Sequence, residues 1–268
     1  FTDYFRKEDK PKAFTTLLFS DTAGGKTFTA LSFPEPVYVI DTENRAISTK
    51  YYHYNNKQIN IFEPVQFKTQ FTEKDWDSFD TYKTIEEISK FIIAFANEVK
   101  AGNIKQGTLV IDSVTDIWSF VQDWAVTELS KKMTSKGGKR ADDLTGEFGL
   151  QFDWKVPNKK HFELMGILRS LNKYGIYVVF TARERETPDY VQQTKVQSTK
   201  DLIRSQKDIP FMSDVILYLR KTIAQTQTKY YAQIVKLEGL APPSEPVENV
   251  TFEKLIKIME EIGKTKLE

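Results

Sequence analysis

Four apolar runs, each followed by a polar cluster, recur along the first two thirds of the chain: Phe14-Thr-Thr-Leu-Leu-Phe19, Val37-Tyr-Val-Ile40, Thr108-Leu-Val-Ile111 and Gly175-Ile-Tyr-Val-Val-Phe180. Short runs of this kind, with little alternation between apolar and polar residues, predict strands buried on both faces, as in a parallel sheet. Between them the period changes to that of a helix. Ile85, Ile88, Phe91, Ile92, Phe95 and Val99 share one helical face behind the capping-box sequence Thr84-Ile-Glu-Glu87. Ile117, Phe120, Val121 and Trp124 mark a helix capped by Ser113-Val-Thr-Asp116, and Leu164, Ile167, Leu168 and Leu171 mark another over 158–174.

The rest of the pattern is different in kind. Val215–Lys221 and Lys229–Lys236 predict an antiparallel hairpin extending the sheet. Residues 240–248, rich in proline, predict a linker, and 251–263 a terminal helix with Phe252, Leu255, Ile256 and Met259 on its apolar side. Residues 45–83 are aromatic, polar and irregular, and no chemistry is assigned to them; the helix headed by Thr84 follows. The expectation is one α/β domain over 1–268, with its core at about 12–237, in which a mainly parallel central sheet is flanked by helices.

Chemistry enters where the first strand ends. Ser20-Asp21-Thr22-Ala23-Gly24-Gly25-Lys26-Thr27 fits the phosphate-loop pattern of Gly, four residues and Gly-Lys-Ser/Thr, except that Ser20 stands at the first glycine. In such a loop the backbone N–H groups of 22–27, with Asp21 at the entry and Phe28 just beyond, close around phosphate oxygens. Gly24 and Gly25 permit close approach. Lys26 reaches the β- and γ-phosphates, and the Thr27 hydroxyl holds a Mg²⁺ that bridges them. Ser20 lies at the strand end, where a small residue serves if no left-handed backbone is needed.

Two further strand tips carry acids. Asp41 and Glu43 follow the second strand and point to opposite sides if it continues; Glu43 is the candidate for polarising a water against the γ-phosphate. Asp112 ends the third strand and is the second candidate, with Thr27, for the Mg²⁺ shell. At the fourth strand's tip Thr181 is placed to sense the γ-phosphate, and Arg183 or Arg185 to stabilise transition-state charge in its own or a neighbouring subunit. The same arginines also suit plain ion pairing with Glu184, Glu186 or Asp189.

Composition narrows the classes. With a net charge of +1 there is no global basic field, so any nucleic-acid contact must be local. The absence of cysteine and the presence of only His53 and His161 argue against a disulfide framework, thiol catalysis or a structural zinc site. No apolar run has the length of a membrane span, and the expected location is the cytoplasm, the host's if the protein is viral. The basic segment 131–140, from Lys131 to Arg140, is either a mobile arm for a nucleic-acid backbone or a solvated loop balanced by Asp142 and Asp143. The polar stretch 186–209 is a second candidate loop for a polymer.

Taken in order, Ser20 to Thr27, Val37-Tyr-Val-Ile-Asp-Thr-Glu43, Leu109-Val-Ile-Asp112-Ser113 and Val178-Val-Phe-Thr-Ala-Arg183 resemble RecA-like P-loop ATPases. They are most similar to AAA-type nucleotide-binding proteins of phages and archaeal viruses related to RadA and to phage single-strand annealing ATPases. The resemblance implies a RecA-like P-loop fold, ATP and Mg²⁺ as ligands, and Glu43 as catalytic base. It also implies a ring or filament of identical subunits acting on single-stranded DNA, with ATP at the subunit interface. The sequence departs from it at Ser20 and at Thr181-Ala182-Arg183, where RadA-like proteins carry an Asn-Gln pair. Two other functions stay open: a small-molecule kinase on the same scaffold, for which no arginine-rich lid is visible, and a nucleotide-gated assembly protein with little hydrolysis.

Overall fold

The computed structural model describes residues 13–65, 79–135, 154–185, 202–223 and 227–265. In chain order the elements are β1 (Thr15–Ser20), α1 (Lys26–Leu31), β2 (Val37–Asp41), α2 (Ala46–His53), β3 (Ile59–Phe62), α3 (Thr81–Lys100), β4 (Gly107–Asp112) and α4 (Val114–Ser135). They continue with α5 (Lys155–Ser170), a 3₁₀ turn (Leu171–Tyr174), β5 (Ile176–Glu184), β6 (Ile203–Arg204), α6 (Ile209–Met212), β7 (Val215–Ile223), β8 (Thr228–Leu237), β9 (Val247–Glu248) and α7 (Phe252–Thr265).

The strands form one sheet in the order β3-β2-β4-β5-β1-β7-β8-β9, with β6 on the end of β5. From β3 to β7 every neighbouring pair is parallel; β8 and β9 are antiparallel additions. This is the mainly parallel RecA-like P-loop architecture, with its antiparallel C-terminal strands, that the sequence pattern and the resemblance implied. β1 and β4 are buried along their whole length, which is why they read as unbroken apolar runs. Their residues alternate between two cores. Leu17, Phe19, Leu109 and Ile111 face α3, α4 and α5, while Leu18 and Val110 face α1 and α7. Each such side chain contributes about 1.5–3 kcal/mol by leaving water.

The second core explains the terminal helix. Phe252 of α7 packs on Phe33 with ring centroids 4.9 Å apart, and its N–H donates to Ser32 Oγ at 2.9 Å. α7 thereby seats α1, only six residues long, against the sheet. Leu255 is buried, and Ile258, Met259 and Ile262 complete the packed side in place of the expected Ile256.

Several boundaries differ from expectation. Within 45–83 there is regular structure after all, the helix α2 and the edge strand β3. α3 begins one turn before the expected capping box: Asp80 is the cap, its Oδ1 accepting from Lys83 N–H at 3.0 Å, and Thr84 is a buried helical residue. A carboxylate three residues ahead of an open N–H satisfies the first turn, so the box is not needed. The helix read over 158–174 starts at Lys155 and tightens into the 3₁₀ turn at Leu171. The linker 240–248 contains β9, which pairs with β8 through Tyr231 and Ala232.

The two candidate polymer loops are partly helical or packed. Residues 131–135 are the end of α4, and 202–209 are anchored by β6, with Ile203, Ser205, Gln206 and Ile209 buried. The remainders, 136–140 and 186–201, lie outside the described residues. Phe91, part of a Phe-x-x-Ala sequence, stacks on Phe62 at 4.7 Å inside the fold. Among the described residues, no helix is long and apolar enough to cross a membrane.

Candidate active site

The sheet order brings three strand tips together at one edge. β5 separates β1, which feeds the phosphate loop, from β4, which carries Asp112. β2 lies on the far side of β4 and delivers Glu43. Parallel strands with crossovers gather exactly such tips at their carboxyl ends, where ligands bind in open α/β sheets.

The loop itself is shaped by a few residues. Gly25 has φ 91°, a left-handed conformation that glycine adopts without the clash of a Cβ. At Gly24 an added Cβ would lie 2.3 Å from Ser20 Oγ and 2.6 Å from Ser20 Cβ. Ser20 is therefore accommodated because residue 24 has no side chain. Positive φ among the loop's non-glycine residues occurs at Ala23, not at Ser20, so the missing first glycine costs no backbone strain. Ser20 Oγ lies 2.7 Å from the Asp21 carbonyl. Asp21 Oδ1 accepts from Thr22 N–H at 2.6 Å, and the Thr22 carbonyl accepts from Lys221 Nζ at 3.3 Å. Lys221 is on β7, so the β7–β8 hairpin leans on the loop.

Lys26 Nζ has three acceptors within the loop: Ser20 Oγ at 3.0 Å, the Asp21 carbonyl at 3.1 Å and the Ser20 carbonyl at 3.3 Å. Burial lowers its pKa from the usual lysine value, while the carboxylates of Glu43 and Asp112 oppose that shift. An ammonium held by loop carbonyls beside two acids is prepared for a more highly charged anion. Since α1 has six residues, the cradle rests on the loop amides and Lys26 more than on a helix terminus.

Asp112 is buried and doubly hydrogen-bonded. Thr27 Oγ1 donates to its Oδ2 at 2.7 Å, and Thr181 Oγ1 makes a short hydrogen bond to Oδ1. Burial pushes its carboxyl up to about 6, against the pull of both hydroxyls. The pair Thr27 and Asp112 fits Mg²⁺, which keeps waters and takes one or two protein oxygens together with substrate phosphates. Thr181 is fully buried and holds Asp112, a different contact from the phosphate sensing expected of it.

Glu43 and Asp41 divide their work by position. β2 ends at Asp41, whose Oδ1 accepts from Glu43 N–H at 3.0 Å and whose Oδ2 accepts from Ala46 N–H at 2.8 Å. Asp41 thus shapes the turn and caps α2. Glu43 lies on the turn, and Arg183 Nε donates to its Oε1 at 2.9 Å. Arg45 Nε stands 3.7 Å from Oε2. Arg183 Nη2 also reaches Asp116 Oδ1 at 3.0 Å.

Asp116 and Thr42 escaped the sequence reading. Thr42 Oγ1 accepts from Ser113 N–H at 2.9 Å and lies 2.9 Å from Asp116 Oδ2. Ser113 Oγ caps α4, accepting from Asp116 N–H at 3.3 Å. Asp116 was legible only as a helix-cap residue. The spacing Asp112-Ser-x-x-Asp116, which returns an acid to the strand tip after one helical turn, is the signal that would have found it.

A cavity of ≈ 460 Å³ opens beside the loop, lined by Gly24, Lys26, Phe28, Glu43, Tyr230 and Asn249 among others. Its volume lies within the usual range of small-molecule sites. Phe28 forms one wall, edge-on to His53 at 5.2 Å, and its carbonyl accepts from Tyr54 Oη at 3.0 Å. Tyr230, from β8, lies over Gly25, a long-range neighbour that no local sequence signal announces. A cleft of ≈ 540 Å³ around Arg169 and Asp214 contains none of the phosphate-loop residues.

A solved KaiC-like protein from the hyperthermophilic archaeon Pyrococcus horikoshii OT3 is similar at 16% identity and TM-score 0.43, over 92% of this chain and 89% of that one. None of the curated proteins compared matches the chain. A family model described as an AAA domain matches residues 12–240, which include the phosphate loop, Glu43, Asp112 and Arg183, and the chain belongs to that family.

Proposed function

We propose that the chain binds and hydrolyses ATP and that single-stranded DNA controls its turnover, in recombination or replication of a virus or mobile element. The observation that carries the ATPase reading is the bond from Thr27 Oγ1 to Asp112 Oδ2 at 2.7 Å. It joins the phosphate loop to the β4 acid, with Glu43 near enough to Lys26 to act on its charge. In this reading Lys26 and the loop amides bind the phosphates, and Thr27 and Asp112 hold Mg²⁺, which neutralises phosphate charge when bound. Glu43 accepts a proton from the attacking water. Arg183 orients that carboxylate and lies at hand for charge developing on the transferred group.

The DNA component is supported by the described flanks of the 136–153 segment. Lys155, Lys159 and Lys160 follow Trp154 without an intervening acid. Trp154 is half-exposed, its ring stacked toward Trp118 at 6.4 Å, and Lys160 Nζ is 5.2 Å from the Trp124 ring. Cations interleaved with aromatic faces suit a single strand. The viral or mobile-element setting and a ring or filament of copies follow from the resemblance.

One observation favours a second reading. Glu43 is held by Arg183 at 2.9 Å, an arrangement also suited to a nucleotide-gated assembly protein that hydrolyses little. The deciding experiment measures ATP hydrolysis with and without single-stranded DNA at low and moderate salt. Stimulation by the strand supports the proposal. Tight ATP binding with near-zero turnover under every condition would replace it with the second reading.

A further inference from the structure

Among the described residues, the outer face of α2 takes no part in the two cores or in the nucleotide site. It carries Tyr51 and Tyr52, 71% and 75% exposed, with Ile47 at 54%. The two rings meet edge to face with centroids 5.1 Å apart. Beside them a shallow cleft runs between α2 and the edge strand β3, lined by Ile47, Lys50, Tyr51, Asn55 and Ile61. Among the described residues β3 pairs only with β2.

Charge selects what this face can take. From Asn44 to Phe62 the sequence has no carboxylate, and Lys50 is the cation that lines the cleft, Lys57 donating instead to the Leu31 and Phe33 carbonyls. Lys50 Nζ donates to the Ile59 carbonyl at 2.8 Å, which braces the cleft and leaves further N–H groups for an anion. Arg45, just ahead of α2, is turned to Glu43 and the nucleotide cavity instead. Asn55, Asn56 and Asn60 are exposed and neutral. Tyrosine faces beside a lysine and amides, with no acid in the span, complement a chain of phosphates and unpaired bases.

The same helix is tied to the catalytic turn. Its first N–H, that of Ala46, and the N–H of Glu43 share the Asp41 carboxylate as acceptor, and its other face presents Thr49 and His53 to the nucleotide cavity. We propose that the outer face of α2 is a stacking platform for single-stranded DNA, with Tyr51 and Tyr52 holding bases and Lys50 an adjoining phosphate. The inference rests on the single-strand reading of the function and adds a contact outside the segments 131–140 and 186–209.

The test compares full-length wild type, Tyr51→Ala/Tyr52→Ala and Tyr51→Phe/Tyr52→Phe. Binding of a labelled oligothymidylate is followed by anisotropy across a salt series, with sedimentation and DNA-free ATP turnover measured alongside. The alanine pair should weaken binding tenfold or more at every salt concentration, without changing the salt slope, because stacking releases no counterions. The phenylalanine pair should bind like wild type, since the ring is kept, and DNA-free turnover should be unchanged in both. Wild-type affinity in the alanine pair overturns the platform while leaving the function standing. A loss in the phenylalanine pair equal to that in the alanine pair overturns stacking. Altered sedimentation with intact DNA binding assigns the face to a second copy and overturns the proposal. If wild type itself neither binds nor responds to the strand, the function and the platform fall together.

Discussion

Arg183 Nε donates to Glu43 Oε1 at 2.9 Å, and the same guanidinium reaches Asp116 Oδ1 at 3.0 Å. A carboxylate fixed between Arg183 and Arg45 is held in one orientation, which a base needs. Glu43→Gln should keep nucleotide affinity and lower turnover by about 10²–10⁴-fold. Arg183→Ala should lower kcat about 100-fold with nucleotide Kd changed only a few-fold. Steady-state kinetics with a separate nucleotide-binding measurement checks both; faster turnover in Arg183→Ala would make the arginine a brake on Glu43.

Lys26 is partly desolvated, and its three acceptors all belong to Ser20 and Asp21. Removing the ammonium takes away a cation whose burial is costly, so Lys26→Ala should fold with a thermal midpoint close to wild type. Turnover should be abolished, because no other side chain of the loop carries positive charge. Calorimetry of the unliganded protein and an ATPase assay separate the two effects.

Gly24 and Ser20 depend on each other. A methyl at residue 24 would overlap Ser20 Oγ at 2.3 Å, which the buried end of β1 cannot relieve by moving. Gly24→Ala should weaken nucleotide binding at least tenfold. Ser20→Gly, which removes both overlapping atoms, should restore much of that loss in the double variant. The coupling is read from a double-mutant cycle on nucleotide Kd; additive losses would show that the overlap is relieved elsewhere.

What was legible in the sequence was local. Asp112 ends a buried strand, and the loop and Glu43 directly follow two others, whose apolar runs announce themselves together with the polar residues that come after them. α2 and β3 were illegible for the opposite reason. α2 buries only Ala46 among its eight residues, and β3 is a four-residue edge strand, so neither imposes a period on the sequence. Tyr230 and Lys221 reach the loop from about 200 residues away through the β7–β8 hairpin. The sequence marked that hairpin but not where it points. β5 runs on to Glu184, past the expected end at Thr181, and that Thr181 faces Asp112 follows from the β4–β5 register, which no local pattern announces.

Two buried titratable groups oppose each other in the same pH window. Asp112 is pushed up from 3.8 to about 6, chiefly by burial. The folded state therefore binds its proton more tightly than the unfolded state, and this stabilisation, complete below pH 3.8, is lost as pH rises through about 6. Asp116, also raised by burial, adds to that side. His161 is fully buried with both ring nitrogens unpartnered, and its pKa is lowered from 6.5 to about 4 by burial, with Asp208 opposing. Its contribution is present above pH 6.5 and lost as pH falls through about 4. At 1.36 kcal/mol per unit each shift corresponds to about 3 kcal/mol, with opposite sign. The unliganded wild type should therefore change little from these groups between pH 6.5 and 4. Asp112→Asn should lose stability on acidification more steeply than wild type, and His161→Leu should gain relative to it. Denaturant midpoints at pH 7, 5.5 and 4, without nucleotide or divalent cation, measure the difference; parallel profiles for all three proteins would mean that neither group titrates as its burial requires.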